Sequence, residues 1–248
     1  TFVISAANRS RDDSSMDITV NGITTQVPIT RTYNWGVYSG SILENVTLNA
    51  GDNTLSIAQN TSLSSEPDKI EFFTDDLVYS GGSWSPSAPD ATTGANNVMV
   101  KDGTYTTSGD ISVNSIIVSS GAGVEISSTD VLTINESIYN AGTFTFKSDS
   151  DGSGQSRSAQ LHITTTTPKT TPANITVERF IPAKRAFRLL SIPVSVQSIS
   201  DSWQLNTHIT GAVGTVGNVS PEGFDETQTG APSMFTFDNT VTDQTGGA

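Results

Sequence analysis

Cysteine is absent from this 248-residue chain, which excludes a disulfide framework, thiol catalysis and cysteine-based zinc sites. Basic residues are scarce: twelve lysines and arginines face 25 aspartates and glutamates, a net charge of -13. A field of that sign repels phosphate, so neither nucleic acid nor an anionic membrane surface is expected as a partner. No apolar run reaches transmembrane length and no stretch has the build of a signal peptide, so no membrane insertion is expected. The chain opens directly into a strand-like run and ends in TDQTGGA, which reads as a fragment of a longer polypeptide. Charged residues make up only 15%, against the quarter or so usual in soluble domains, and Ser, Thr, Asn and Gly take their place. Such neutral polar chains suit secreted β proteins, whose turns and solvent-facing strand positions use these residues.

Long helical periodicity is also missing. Short runs rich in Val, Ile, Thr and Phe recur instead, separated by Gly, Asn, Asp and Ser clusters, and they predict an all-β fold. In the first segment, residues 1–78, FVISA sets Phe2, Ile4 and Ala6 against Val3 and Ser5, and MDITV puts Met16, Ile18 and Val20 on one face. Asn21-Gly22 before ITTQV is a strong hairpin signal, because a type I′ turn needs positive φ at both central residues. NVTLNAGDNTLSI predicts a second hairpin, with Val46 and Leu48 in one strand, a turn over 50–53, and Leu55 and Ile57 in the next. DKIEFF adds a closing strand. Five or six antiparallel strands with one apolar face predict at least half of a jelly-roll-like β-sandwich.

The succession ANRS, MDITVNG, a lone Trp35, VTLNAGDNTLSI and PDKIEF resembles the later part of a family-6 or family-35 type carbohydrate-binding module over about 70 residues. The resemblance implies a sandwich that binds a polysaccharide or cell-surface glycan through loop aromatics. Trp35 would be the stacking platform, Tyr38 or Tyr33 a second wall, and Asn8 and Glu66 polar groups at the same end. A sugar ring offers its C–H face to an indole and its hydroxyls to amides and carboxylates, which suits these residue types. The family usually places Asn where Glu66 stands. Its opening strands, with the acidic half of a structural calcium site, would precede Thr1, leaving Asp68 as the other half. The alternative for Trp35 is that it packs under its own loop.

The second segment, residues 79–168, starts with YSGGSWSPSAPDATTGANN, which has no period and reads as a linker or irregular cap. The short runs VMV (98–100), ISV (111–113), IIV (116–118), VEI (124–126), LTI (132–134), FTF (144–146) and LHI (161–163) follow. They predict rungs of a β-solenoid, with a second small sandwich as the alternative. GSWSP, NNVMVKDGTYT and LTINESIYNAGTFTF are similar to a spacer segment of large secreted surface proteins of the Bacteroidetes. SDSDGSG (148–154) offers Asp149 and Asp151 to calcium, but a calcium site needs six or more oxygens, and an Asp-Gly turn between strands is the simpler expectation.

The third segment, residues 169–248, is predicted to be a further β domain, cut short. VERFIPAKRAFRLLSIPV gathers Arg179, Lys184, Arg185 and Arg188, yet Pro182 and Pro193 oppose a basic amphipathic helix. Alternation in AFRLL predicts strands with arginines projecting between apolar positions. The phrase, followed by ISDSWQ and GFDETQTGAPSMFTFDN, resembles a framework domain of type IX-secreted multidomain proteins of Flavobacteria. That implies a structural cluster and a secreted or outer-surface location.

No catalytic constellation is legible. His162 and His208 belong to no metal-ligand pair, no Gly-x-Ser-x-Gly elbow occurs, and the glycine-rich GAVGTVGNVS lacks a phosphate-loop lysine. The expectation is a non-enzymatic glycan-binding or adhesion region with no cofactor beyond a structural calcium. The alternatives are a stalk that displays other modules and an accessory region of a secreted polysaccharide-degrading enzyme.

Overall fold

A computed structural model describes residues 1–8, 13–32, 39–43, 46–60, 65–165, 169–170, 175–182, 203–204, 207–210, 225 and 232–234. Among them the chain is all β, with no helix. It divides into two compact units, Thr1–Arg188 and Leu189–Ala248.

The first unit begins with a sandwich of six strands: β1 (Phe2–Asn8), β2 (Ser14–Val20), β3 (Ile23–Ile29), β4 (Ser39–Leu43), β5 (Leu55–Gln59) and β6 (Ser65–Phe72). Two antiparallel three-stranded sheets, β4-β1-β6 and β3-β2-β5, face each other. Phe2, Ile4 and Ala6 meet Met16, Ile18 and Val20 in the core between them, as period-2 alternation requires. The β2–β3 hairpin turns at Asn21 and Gly22, with φ of 51° and 81°, the positive pair that a type I′ turn demands. The strand expected around Val46 and Leu48 is not formed: residues 46–49 are irregular and Leu48 is exposed. The Asn53 side chain accepts from the Asn49 amide (2.7 Å) and donates to the carbonyls of Asn49 and Gly51. These local bonds satisfy the backbone that a sheet would otherwise recruit.

A β-solenoid follows in the same unit. Its strands are β7 (Leu77–Ser80), β8 (Ser83–Ser85), β9 (Asn97–Val100), β10 (Thr104–Thr106), β11 (Ile111–Val118), β12 (Gly123–Ile126), β13 (Val131–Asn140), β14 (Thr143–Phe146), β15 (Ser148–Ser150), β16 (Ser156–Ser158), β17 (Gln160–Ile163), β18 (Lys169–Thr170) and β19 (Ile175–Val177). Apart from the antiparallel hairpins β7–β8 and β15–β16, every pairing is parallel, which decides for the solenoid over a second sandwich. Equivalent residues stack from rung to rung: Leu77, Val98, Ile116 and Ile138 in one row, and Tyr105, Val124, Phe144 and Ile175 in another. No rung could bury these side chains alone; stacked, they form one continuous core. The expected strands ISV and IIV are a single strand, β11, bent at Asn114, where its register against β13 shifts. The Asn114 amide reaches Asn97 (3.0 Å) and Glu136 (3.1 Å), so a polar ladder holds the corner.

Strand β7 straddles residue 78, and β18 and β19 lie beyond residue 168, so the solenoid's strands run across both boundaries expected from composition. A third buried cluster explains the continuity. Val78, Met99, Ile117 and Tyr139 form a row on the outer face of the solenoid sheet, and Val3 and Ile42 of the sandwich pack against it with Phe73. Strand β1 is therefore covered on both faces, Val3 as fully as Ile4. Tyr139 donates its hydroxyl to Glu71 of β6 at the border of this seam.

The described residues of the second unit are few. Thr210 and Asp225 form a parallel bridge, and the Asp225 carboxylate accepts from the Ile209 amide (2.7 Å) and approaches His208 Nδ1 (3.1 Å).

Candidate functional site

One end of the sandwich gathers the termini of most of its strands. Asn8 ends β1 opposite Ser65, which begins β6; Ser14 begins β2 opposite Ile29, which ends β3; and Ser39 begins β4 opposite Ala6. The strand ends flanking residues 9–12, 33–38 and 61–64 thus lie together. Trp35, Tyr33 and Tyr38 fall in the second of these stretches, outside the described residues. Its near base is fastened: Thr32 donates its amide to the Asn8 carbonyl (2.9 Å), and the Asn8 amide donates to Thr32 Oγ1 (3.0 Å).

Asn8 belongs to that fastening. Its side chain is fully buried, and Nδ2 donates to the Ile29 carbonyl at 3.2 Å. A direct sugar contact would require breaking that bond in a solvent-excluded place. Glu66 sits opposite Ala7 and is exposed, available to a ligand's hydroxyls. Asp68 occupies the β-bulge where the β1–β6 register shifts, and is also exposed.

The SDSDGSG stretch forms the β15–β16 hairpin. Arg157 grips Asp149 through Nε (2.5 Å) and Nη2 (2.9 Å), and these bonds, with one from Ser128, hold the Asp149 carboxyl down at about 2. Asp151 accepts from Ser153 Oγ and from the amides of Ser153 and Gln155, which lowers its pKa and ties the turn. Both carboxylates are occupied by protein donors, the use a turn makes of them. Among the described residues, no three His, Asp or Glu side chains converge as metal ligands.

A cleft that the sequence did not announce lies at the first rung of the solenoid. It measures about 520 Å3 and runs between the β7–β8 hairpin, residues 88–90, β10 and residues 108–111. Tyr79, Trp84 and Tyr105 pack together on one side, with ring centroids 4.7–5.6 Å apart; Trp84 meets Tyr105 edge to face. Burial, together with Asp130 and Tyr79, pushes the Tyr105 hydroxyl up to about 12, so it stays neutral. Thr104, Thr106 and Ser108 supply hydroxyls, and Asp90 and Asp110 supply carboxylates. The available signal was SGGSW: Gly81 and Gly82, both at positive φ, turn the chain so that Trp84 lies opposite Tyr79.

Of the basic cluster, Arg179 is exposed, and Lys184, Arg185 and Arg188 lie outside the described residues. His162 is exposed on β17. Comparison of the chain with protein-family models, with curated proteins and with solved structures returned no match.

Proposed function

We propose that this chain is a non-catalytic, extracellular glycan-binding and adhesion region of a larger bacterial surface protein, of the type IX-secreted kind found in Bacteroidetes. The observation that carries the reading is the gathering of strand ends at one end of the sandwich. There, exposed Glu66 and the fastened base of the stretch holding Trp35 stand side by side. A sugar offers its apolar face to an indole and its hydroxyl edge to a carboxylate, which suits Trp35 and Glu66 as residue types. The test is affinity electrophoresis through gels containing plant and algal polysaccharides, with Trp35→Ala run alongside. Retardation by one polymer, weakened in the variant, supports the reading. Unchanged mobility in every gel, with folding confirmed by circular dichroism, refutes it.

The second reading, a stalk that displays other modules, draws on the seam of Val3, Ile42, Met99, Ile117 and Tyr139, which joins sandwich and solenoid through a shared buried core. The stalk reading predicts no affinity for any polymer.

A further inference from the structure

We propose that the cleft at the first rung of the solenoid is a second carbohydrate site, taking an uncharged sugar of a neutral polysaccharide. It shares its ligand class with the sandwich end but none of its residues.

The solenoid itself creates the vacancy. In the sheet ordered β10-β12-β14-β19, β10 is the edge strand, and among the described residues no strand of the first rung lies beside it. Gly103 accepts from the Gly123 amide and Thr107 donates to the Glu125 carbonyl, so odd-numbered residues face β12 and the backbone of Thr104 and Thr106 faces the cleft. An added peptide strand would use that edge. However, the Thr104 carbonyl already accepts from Tyr79 Oη at 3.2 Å, which interrupts the ladder a strand would need.

What remains suits a sugar better. Trp84 is only partly buried and lines the cleft, offering aromatic surface to a ring's C–H face. The three rings touch one another, so they form a platform and leave no cage for a quaternary ammonium group. Around the platform stand the hydroxyls of Thr104, Thr106 and Ser108, all exposed, which can both donate and accept. Asp90 Oδ1 already accepts from Thr92 and Asp110 Oδ1 from the Val131 amide, which leaves the Oδ2 atoms to accept from sugar hydroxyls, and among the described residues no lysine or arginine lines the cleft. A uronate or sulfate group would meet two carboxylates and no countercharge in a chain of net charge -13, so the site selects against acidic polysaccharides. The volume accommodates one or two sugar rings.

The experiment runs the chain through gels containing neutral polymers (xyloglucan, galactomannan, laminarin) and acidic ones (polygalacturonate, alginate, carrageenan). Wild type, Trp35→Ala, Trp84→Ala and Ser108→Arg are compared. Ser108→Arg fills the cleft from an exposed position and leaves the Trp84 packing intact, so it answers even where Trp84→Ala unfolds. The expected result is retardation by a neutral polymer, with a roughly tenfold loss of affinity in the Trp84 and Ser108 variants. Equal retardation of wild type and both cleft variants overturns the second site. Retardation by an acidic polymer that the cleft variants abolish overturns the choice of ligand but not the cleft. An effect of Trp35→Ala alone leaves the sandwich reading standing without this one, and an effect of the cleft variants alone does the reverse. Absence of retardation in every gel overturns both.

Discussion

Replacing Ile117 by alanine isolates the seam between sandwich and solenoid. Ile117 points away from the solenoid core, on the face where an unattached solenoid would meet water, yet it is 1% exposed because Val3, Met99 and Tyr139 surround it. Truncation removes three carbons, about 0.8 kcal/mol each in transfer free energy. The cavity left between two sheets that cannot close on it brings the total to about 3–4 kcal/mol. Spread over a urea dependence of roughly 2–3 kcal/mol per molar, the unfolding midpoint should fall by about 1 M or more. Ile23→Ala is the control: Ile23 is 73% exposed at the β2–β3 hairpin, and its loss should cost less than about 0.5 kcal/mol. Urea melts followed by far-ultraviolet circular dichroism measure both. If the two variants lose equally little, the seam is not packed and the shared core falls as an argument for a single structural body.

Two further perturbations test the solenoid and its charges. Gly142→Ala would set a methyl against the carbonyl oxygens of Ala122 and Ser119, the latter 2.6 Å away, and both are backbone atoms unable to swing aside. It should cost about 3 kcal/mol or prevent folding, and an unchanged melting temperature would contradict the close approach of these rungs. In an alkaline titration by ultraviolet absorbance, Tyr105 should ionise near 12. Because its folded value lies above the ordinary tyrosine value of about 10, its contribution to stability is complete below about pH 10 and lost as pH rises towards 12. A Tyr105→Phe variant with the same alkaline unfolding profile as wild type would count against that assignment.

Where burial follows from local pattern, the sequence was informative. Asn21-Gly22 marked the hairpin and its register, and alternation in FVISA and MDITV marked the faces that meet in the sandwich. Short apolar runs bounded by turn residues marked the rungs, but not that ISV and IIV are one strand, because Asn114 reads as a breaker and serves as a corner. Alternation set Val3 on the face opposite Ile4, and Ile117 likewise lies on the face opposite Ile116. What covers them comes from the other half of the unit, and no window of sequence contains both. The candidate sites divide in the same way. Glu66 lies in an exposed position beside its strand partner Ala7, and Asn8 proved to be a buried fastener whose role depends on Ile29 and Thr32. Trp84 sat in a stretch whose composition spoke only of turns, and its partner Tyr105 is brought to it by the stacking of the first rungs.

The link between β6 and β7 is only residues 73–76, and the seam lies directly beside it. The consequence is mechanical. Tension applied to the sandwich reaches the solenoid across the apolar contact of Val3, Ile42 and Phe73 with Met99, Ile117 and Tyr139, which separates more readily than a ladder of hydrogen bonds pulled in shear. A tether that short keeps the parted faces at high effective concentration, so they close again once the load is released. The joint would act as a latch that yields and resets, sparing the strands on either side from unravelling.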